Sequence, residues 1–247
     1  MMEKRLYRVG ISIVLTLALM VFLVSVTPAE NPPRILVLLG GTMPEGSIQG
    51  FTYFLFIFGM LELWAINSSI THENDAYSVH LLPEKENWIL SSEDVNQLKL
   101  NMQHLEKSRK FLLTDLIKKA CTNYRLSKSS AEVLGIVDSQ VKIYNSEMES
   151  KQSFISYTAW AIPSVGFIGT VLGIASSLGY ANEANTPEGI NRVTSSLAVA
   201  FDTTLVALFL SVFLMFGIHY VHKRQDELFT KMNSYIIENL INRFYKD

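Results

Sequence analysis

Asp202, Thr203 and Thr204 stand together inside an otherwise apolar run, Leu197 to Tyr220. A carboxylate is costly in a bilayer and persists there where it has a partner or water. Hydroxyls beside it both donate and accept hydrogen bonds, as transient ligands for a passing ion or proton must. A second polar group lies upstream, in the uncharged stretch Tyr157 to Tyr180. There Gly166, Gly169, Gly173 and Gly179 recur at helical spacing, with Thr170, Ser176 and Ser177 between them. Apolar side chains gain little by leaving lipid for one another, so small residues mark where helix backbones approach closely. Gly169-x-x-x-Gly173 alone is a weak signal. A whole small-residue stripe in an uncharged span says that the helix faces protein or water as well as lipid.

A helical wheel at about 100° per residue separates the polar groups of the last span. Ala200, Thr204, Ala207 and Ser211 form one small, weakly polar stripe. Asp202 falls about 200° from Thr204, on the face of Ala198, Leu205, Val206 and Phe209. Asp202 and Thr204 therefore look in different directions. The Thr204 stripe matches the Thr170, Gly173, Ser177 stripe of the other span. Two helices so marked either line a narrow pore or cradle a third helix. A lone membrane threonine is commonly satisfied by the carbonyl four residues back; matched stripes weaken that plainer reading.

The elements that must position these residues follow from composition. Of 247 residues, 49% are hydrophobic and 18% charged, which suggests an all-α integral membrane protein with a polar portion. A basic arm and first span occupy residues 1–27. The apolar run Val9–Val26 is read as a retained helix rather than a signal peptide. Residues 28–50 carry Pro28, Pro32, Pro33 and Pro44 with Gly40, Gly41 and Gly46, and are read as a loop. Residues 51–68 form a second span, in which Trp64 suits the interface and Glu62, near one end, is read as reaching toward headgroups. Residues 69–154 form a polar helical insert between spans two and three. Within it Asp94 to Tyr124 is read as one amphipathic helix, and Ser129-x-x-Glu132 as the capping box of the next. No helix breaker then occurs before Pro163, so span three (155–181) continues a helix from the insert. Ser130 to Tyr180 would extend about 75 Å. Residues 182–196 are a second loop and 197–221 the fourth span. The tail, 222–247, keeps helical period at Leu228, Met232 and Ile236.

Charge orients these four spans. Nineteen of the 21 basic residues lie on the side of the termini and the insert, Arg34 and Arg192 being the two exceptions. The positive-inside rule therefore places both termini, the insert and the extensions of the last two helices in the cytoplasm.

Two stretches carry a family resemblance. Ile162-Pro163-Ser164-Val165-Gly166-Phe167-Ile168-Gly169-Thr170-Val171-Leu172-Gly173-Ile174 and Ala200-Phe201-Asp202-Thr203-Thr204-Leu205-Val206-Ala207-Leu208 resemble the core of the MotA/TolQ/ExbB proton-channel family. The match extends over Lys151 to Tyr245, and the four-span layout is more like the flagellar stator subunits than the three-span TolQ and ExbB type. The resemblance implies a homo-pentamer in the bacterial inner membrane, around two copies of a single-span MotB/TolR/ExbD-like protein whose aspartate carries the ion. It implies an ion path along Thr170 and Thr204, with Thr203 and Asp202 beside it. Independently of it, the small-residue stripes point to packing at Gly166, Gly169, Gly173, Ala200 and Ala207, and the missing backbone donor of Pro163, which matches the family's proline, points to a hinge. The transported ion would be H+, with Na+ the alternative, and no cofactor or metal is implied. The glutamate of the TolQ and ExbB last span aligns with Val199, so Asp202 either replaces it one turn later or pairs with a neighbouring subunit at a lateral interface.

Other functions leave weaker marks. A net charge of −2 gives no reason to expect nucleic-acid binding. The lone Cys121 excludes an intrachain disulfide. The sequence contains no nucleophile elbow or phosphate loop, so an enzyme is not expected. The competing reading is a non-conducting membrane scaffold that uses the same stripes for packing alone.

Overall fold

The computed structural model describes residues 2–28, 30–44, 46–83 and 89–244. Seven α-helices account for most of them: α1 (Met2–Val26), α2 (Arg34–Leu38), α3 (Ser47–Asn74), α4 (Ser92–Ser108), α5 (Leu112–Ser127), α6 (Ser130–Gly179) and α7 (Pro187–Asn239). The described residues contain no strand beyond an isolated bridge between Leu90 and Phe244. Helices α1, α3, α6 and α7 are long and apolar enough to cross a membrane, so the chain is a multi-pass membrane protein. Helix suits these runs because lipid offers no hydrogen bonds and each backbone group must be satisfied within its own segment.

Two segments read as loops are shorter than the composition suggests. In residues 28–50, α2 occupies Arg34–Leu38 and α3 begins at Ser47. In residues 182–196, α7 begins at Pro187. The Gly189 N–H donates to Thr186 Oγ1 at 3.0 Å, which caps the helix. Proline at the first helical position loses no hydrogen bond and starts the helix that its presence seemed to forbid. Pro163 likewise lies inside an unbroken α6.

The contacts divide the chain into two compact units. One comprises Met1–Trp64 and Ser153–His219. Met20, Leu23, Tyr53 and Val206 form a buried cluster in it, with Leu38 and Leu39 of the first loop packed against them. The Tyr53 hydroxyl donates to the Leu39 carbonyl at 2.9 Å, tying that loop to α3. Gly40 turns the chain there at φ 86°, a conformation strained for residues with a side chain. Large apolar side chains such as Phe167, Leu172, Phe209 and Phe216 face outward.

The other unit comprises Ala65–Gln152 and Tyr220–Asp247. Its core joins Met102 and Val95 of α4, Leu113, Leu116 and Ile117 of α5, Val133 and Val137 of α6, and Leu228, Met232 and Ile236 of α7. The single helix expected over Asp94 to Tyr124 is a hairpin of two. Backbone at Arg109 and Phe111 is extended, and α4 folds back along α5. Lys118 bonds Glu106 at 2.6 Å and Arg125 bonds Asn96 at 2.8 Å, fixing the antiparallel register. The break is not written as proline or glycine. With α4 folded back along α5, Met102 and Leu113 are both buried. The carboxylate of Glu73 accepts the exposed first N–H of α5, from Leu112 at 2.7 Å. Cys121 is fully buried in this core, and burial pushes its thiol up to about 12, far from a reactive thiolate.

Candidate functional site

The small residues of α6 and α7 face one another in the membrane-spanning unit. A Cβ added at Gly173 would lie 2.7 Å from the Ala200 Cβ and 2.9 Å from its Cα. Added at Gly166 it would strike Ala207, and at Gly169 the Thr203 side chain. Each glycine admits a particular residue of α7, so the two backbones run close together as the absence of side chains permits. Ala200, Ala207 and Thr203 are buried in this seam. Gly173→Ala is therefore expected to destabilise the purified chain by about 1–3 kcal/mol, since Ala200 backbone must move. Gly135→Ala, on the same helix with nothing within 4 Å of the new Cβ, should instead stabilise by up to about 1 kcal/mol. Denaturation midpoints of the two variants test the contrast.

Close approach brings the hydroxyls together. Thr170 and Thr204 share a hydrogen bond across the seam, side chain to side chain. Whichever hydroxyl accepts in that pair is free to donate to a carbonyl of the facing helix, Thr170 Oγ1 to Ala200 at 3.1 Å or Thr204 Oγ1 to Gly166 at 3.0 Å. Both threonines are half-buried. Thr203 differs: it is 1% exposed and donates to the Ala200 carbonyl at 3.0 Å within its own helix. Further along, Ser177 donates to the Val193 carbonyl at 3.2 Å, and Ser176 and Ser196 pair at 3.3 Å. The result is a ladder of hydroxyls and carbonyls along the α6–α7 seam. Its threonines already bond to the facing helix and not merely to their own turn. Such groups can pass a hydrogen bond to a water or an approaching carboxylate by rotating one hydroxyl.

Asp202 lies elsewhere. It is 2% exposed, and its carboxylate is gripped by both terminal nitrogens of Arg34, Nη2 to Oδ1 at 2.6 Å. Arg34 is the first residue of α2, in the loop between the first two spans. A bidentate guanidinium matches the carboxylate plane and neutralises it in place. The partner of Asp202 is thus in its own chain, 168 residues away in sequence. Arg34 was visible in the sequence only as one of two bases on the sparsely charged side. The other, Arg192, is paired too, with Glu183 at 3.2 Å.

Glu62 differs from the sequence reading. It does not reach outward to headgroups but is 3% exposed and held by Arg8, Nε at 2.9 Å and Nη2 at 3.1 Å. The basic arm of α1 and the end of the second span are joined by this pair, because burying either charge alone would be costly.

A sequence model of the MotA/TolQ/ExbB proton channel family matches residues 107–234. That match covers more than half of the chain and contains both halves of the threonine seam. Searches of curated proteins and of solved structures found no match.

Proposed function

The chain belongs to the MotA/TolQ/ExbB proton channel family, and on that premise we propose that it is the channel subunit of an ion-driven membrane motor. In this reading five copies surround two copies of a single-span MotB/TolR/ExbD-like protein in a bacterial inner membrane. Both termini and the polar helical insert are cytoplasmic. Protons pass between the partner's aspartate and the hydroxyls of Thr170 and Thr204, and their passage turns the ring about the dimer. The chain itself performs no covalent chemistry.

The observation that carries this reading is the Thr170–Thr204 hydroxyl pair, half-buried in a seam of small residues inside two spanning helices. A motor path needs groups that bind weakly and release, and paired hydroxyls meet that need better than a fixed charge. Asp202 is given a different part here: its grip by Arg34 makes it an anchor for the fourth span rather than a carrier. Each charge crossing 100 mV supplies about 2.3 kcal/mol, enough to bias a ring between orientations when several pass per cycle.

The experiment is the mass and stoichiometry of the complex purified through this chain after co-expression with its genomic neighbours. The expected result is five copies of the 27.9 kDa chain with two of a small single-span protein. A closed ring of this chain alone, without such a partner, would favour the scaffold and leave the threonine seam as packing.

A further inference from the structure

The threonine seam leaves unexplained a basic cluster in the same unit. Two guanidinium groups, Arg5 and Arg8, converge on the one buried carboxylate of Glu62. Arg8 takes both of its oxygens, whereas Arg5 approaches only through Nε, at 3.5 Å. The cluster therefore keeps an excess positive charge. Arg5 is also stacked on an aromatic ring, its guanidinium carbon 4.7 Å from the centroid of Phe154. That ring is braced edge-on by Phe58 at 5.7 Å. The Arg5 side chain is 39% exposed, and its terminal nitrogens have no hydrogen-bond partner among the described residues.

A guanidinium fixed by a carboxylate on one side and a ring face beneath presents its free edge in a set direction. That edge is a fork suited to two oxygens of one phosphate, and pre-orientation lowers the entropy lost on binding. The surroundings indicate where the phosphate comes from. Trp64 on α3 and Tyr157 and Trp160 on α6 are strongly exposed. They are the residue types of a lipid headgroup belt and not of a close-packed helix seam. We propose that Arg5, held by Glu62 and Phe154, binds the phosphate of an anionic phospholipid at the membrane edge. This requires only that the chain cross a membrane, so it stands or falls separately from the motor reading.

The test uses the full chain in its native oligomer, in phosphatidylcholine nanodiscs containing a brominated lipid that quenches tryptophan. Brominated phosphatidylglycerol is expected to quench about fivefold more effectively than brominated phosphatidylcholine at equal mole fraction, the preference one basic residue confers near an anionic surface. Arg5→Gln should remove that preference. Phe154→Leu, which keeps every charge, should lower it. Lys4→Gln should leave it unchanged, because Lys4 is exposed and lies outside the Arg5–Glu62–Phe154 contacts. Equal quenching by both lipids in the unaltered chain overturns the proposal. So does a preference that survives both Arg5→Gln and Phe154→Leu, or one that Lys4→Gln abolishes equally, which would mean diffuse attraction. Loss of the preference in millimolar inorganic phosphate would overturn the lipid assignment in favour of a soluble phosphate.

Discussion

Arg34→Ala is expected to weaken the folded chain by about 3 kcal/mol, while Asp202→Asn costs less than about 1 kcal/mol. The asymmetry follows from exposure. The Asp202 side chain is 3% exposed and Arg34 61%. Removing the arginine strands a carboxylate among apolar side chains, with Val206 one turn away in the buried cluster of Met20, Leu23 and Tyr53. Removing the carboxylate leaves an arginine that water can already reach. Breaking a buried pair from the buried side's partner costs several kcal/mol, and the open flank of Arg34 sets the value at the lower end. The double variant Arg34→Gln/Asp202→Asn should recover most of the loss, because two neutral side chains can hydrogen-bond where neither charge remains. Unfolding of the purified chain in mixed micelles, followed by helical circular dichroism, measures all three. Equal losses for the two single variants would show that Asp202 is not buried beneath an exposed Arg34. If Asp202 is an anchor, Asp202→Asn should also retain most ion-driven activity, whereas an ion carrier at this position would lose it.

Thr170→Val/Thr204→Val is expected to abolish ion-driven work while leaving the assembly intact. Valine keeps the β-branched shape and so preserves the packing against Ala200 and Gly166, but it removes the hydroxyl pair. The stability cost is about 1 kcal/mol for each lost hydrogen bond. The functional cost is larger in kind. A passing ion loses a ligand worth about 1.4 kcal/mol at each position, or about tenfold per threonine in flux. Flux into vesicles holding the complete complex, measured beside its mass, separates the outcomes. Normal mass with flux reduced about a hundredfold for the double variant supports a path along this seam. Normal mass with normal flux assigns the threonines to packing and supports a scaffold. Thr203→Val is the internal comparison: its hydroxyl is spent on a carbonyl inside the seam at 3.0 Å, so its effect should fall on stability before flux.

Four uncharged or nearly uncharged runs with helical period declared four membrane helices, because in lipid a segment of that length has one way to satisfy its own backbone. The glycines at three- and four-residue spacing and the two small-residue stripes were equally plain, since periodicity is a local property of the chain. Which stripe meets which is not local. The seam joins Gly166 to Ala207 and Thr170 to Thr204 only because α6 and α7 pack side by side. Helix ends were harder to read: residues 182–196 read as a loop although α7 starts at Pro187, and the α4–α5 break near Arg109 carries no breaker at all. There the partner surface overrode propensity: folding back buries Val95 and Met102, and Glu73 caps the new helix start through the Leu112 N–H. The charged pairs are the sharpest case. In the sequence Asp202 read as an ion-path or lateral-interface residue, Glu62 as a headgroup contact, Arg8 as part of a basic arm and Arg34 as one of two bases on the sparsely charged side. Only the tertiary structure decided their partners, 168 and 54 residues away, because burying a charge forces a choice of counter-charge that no spacing along the chain encodes.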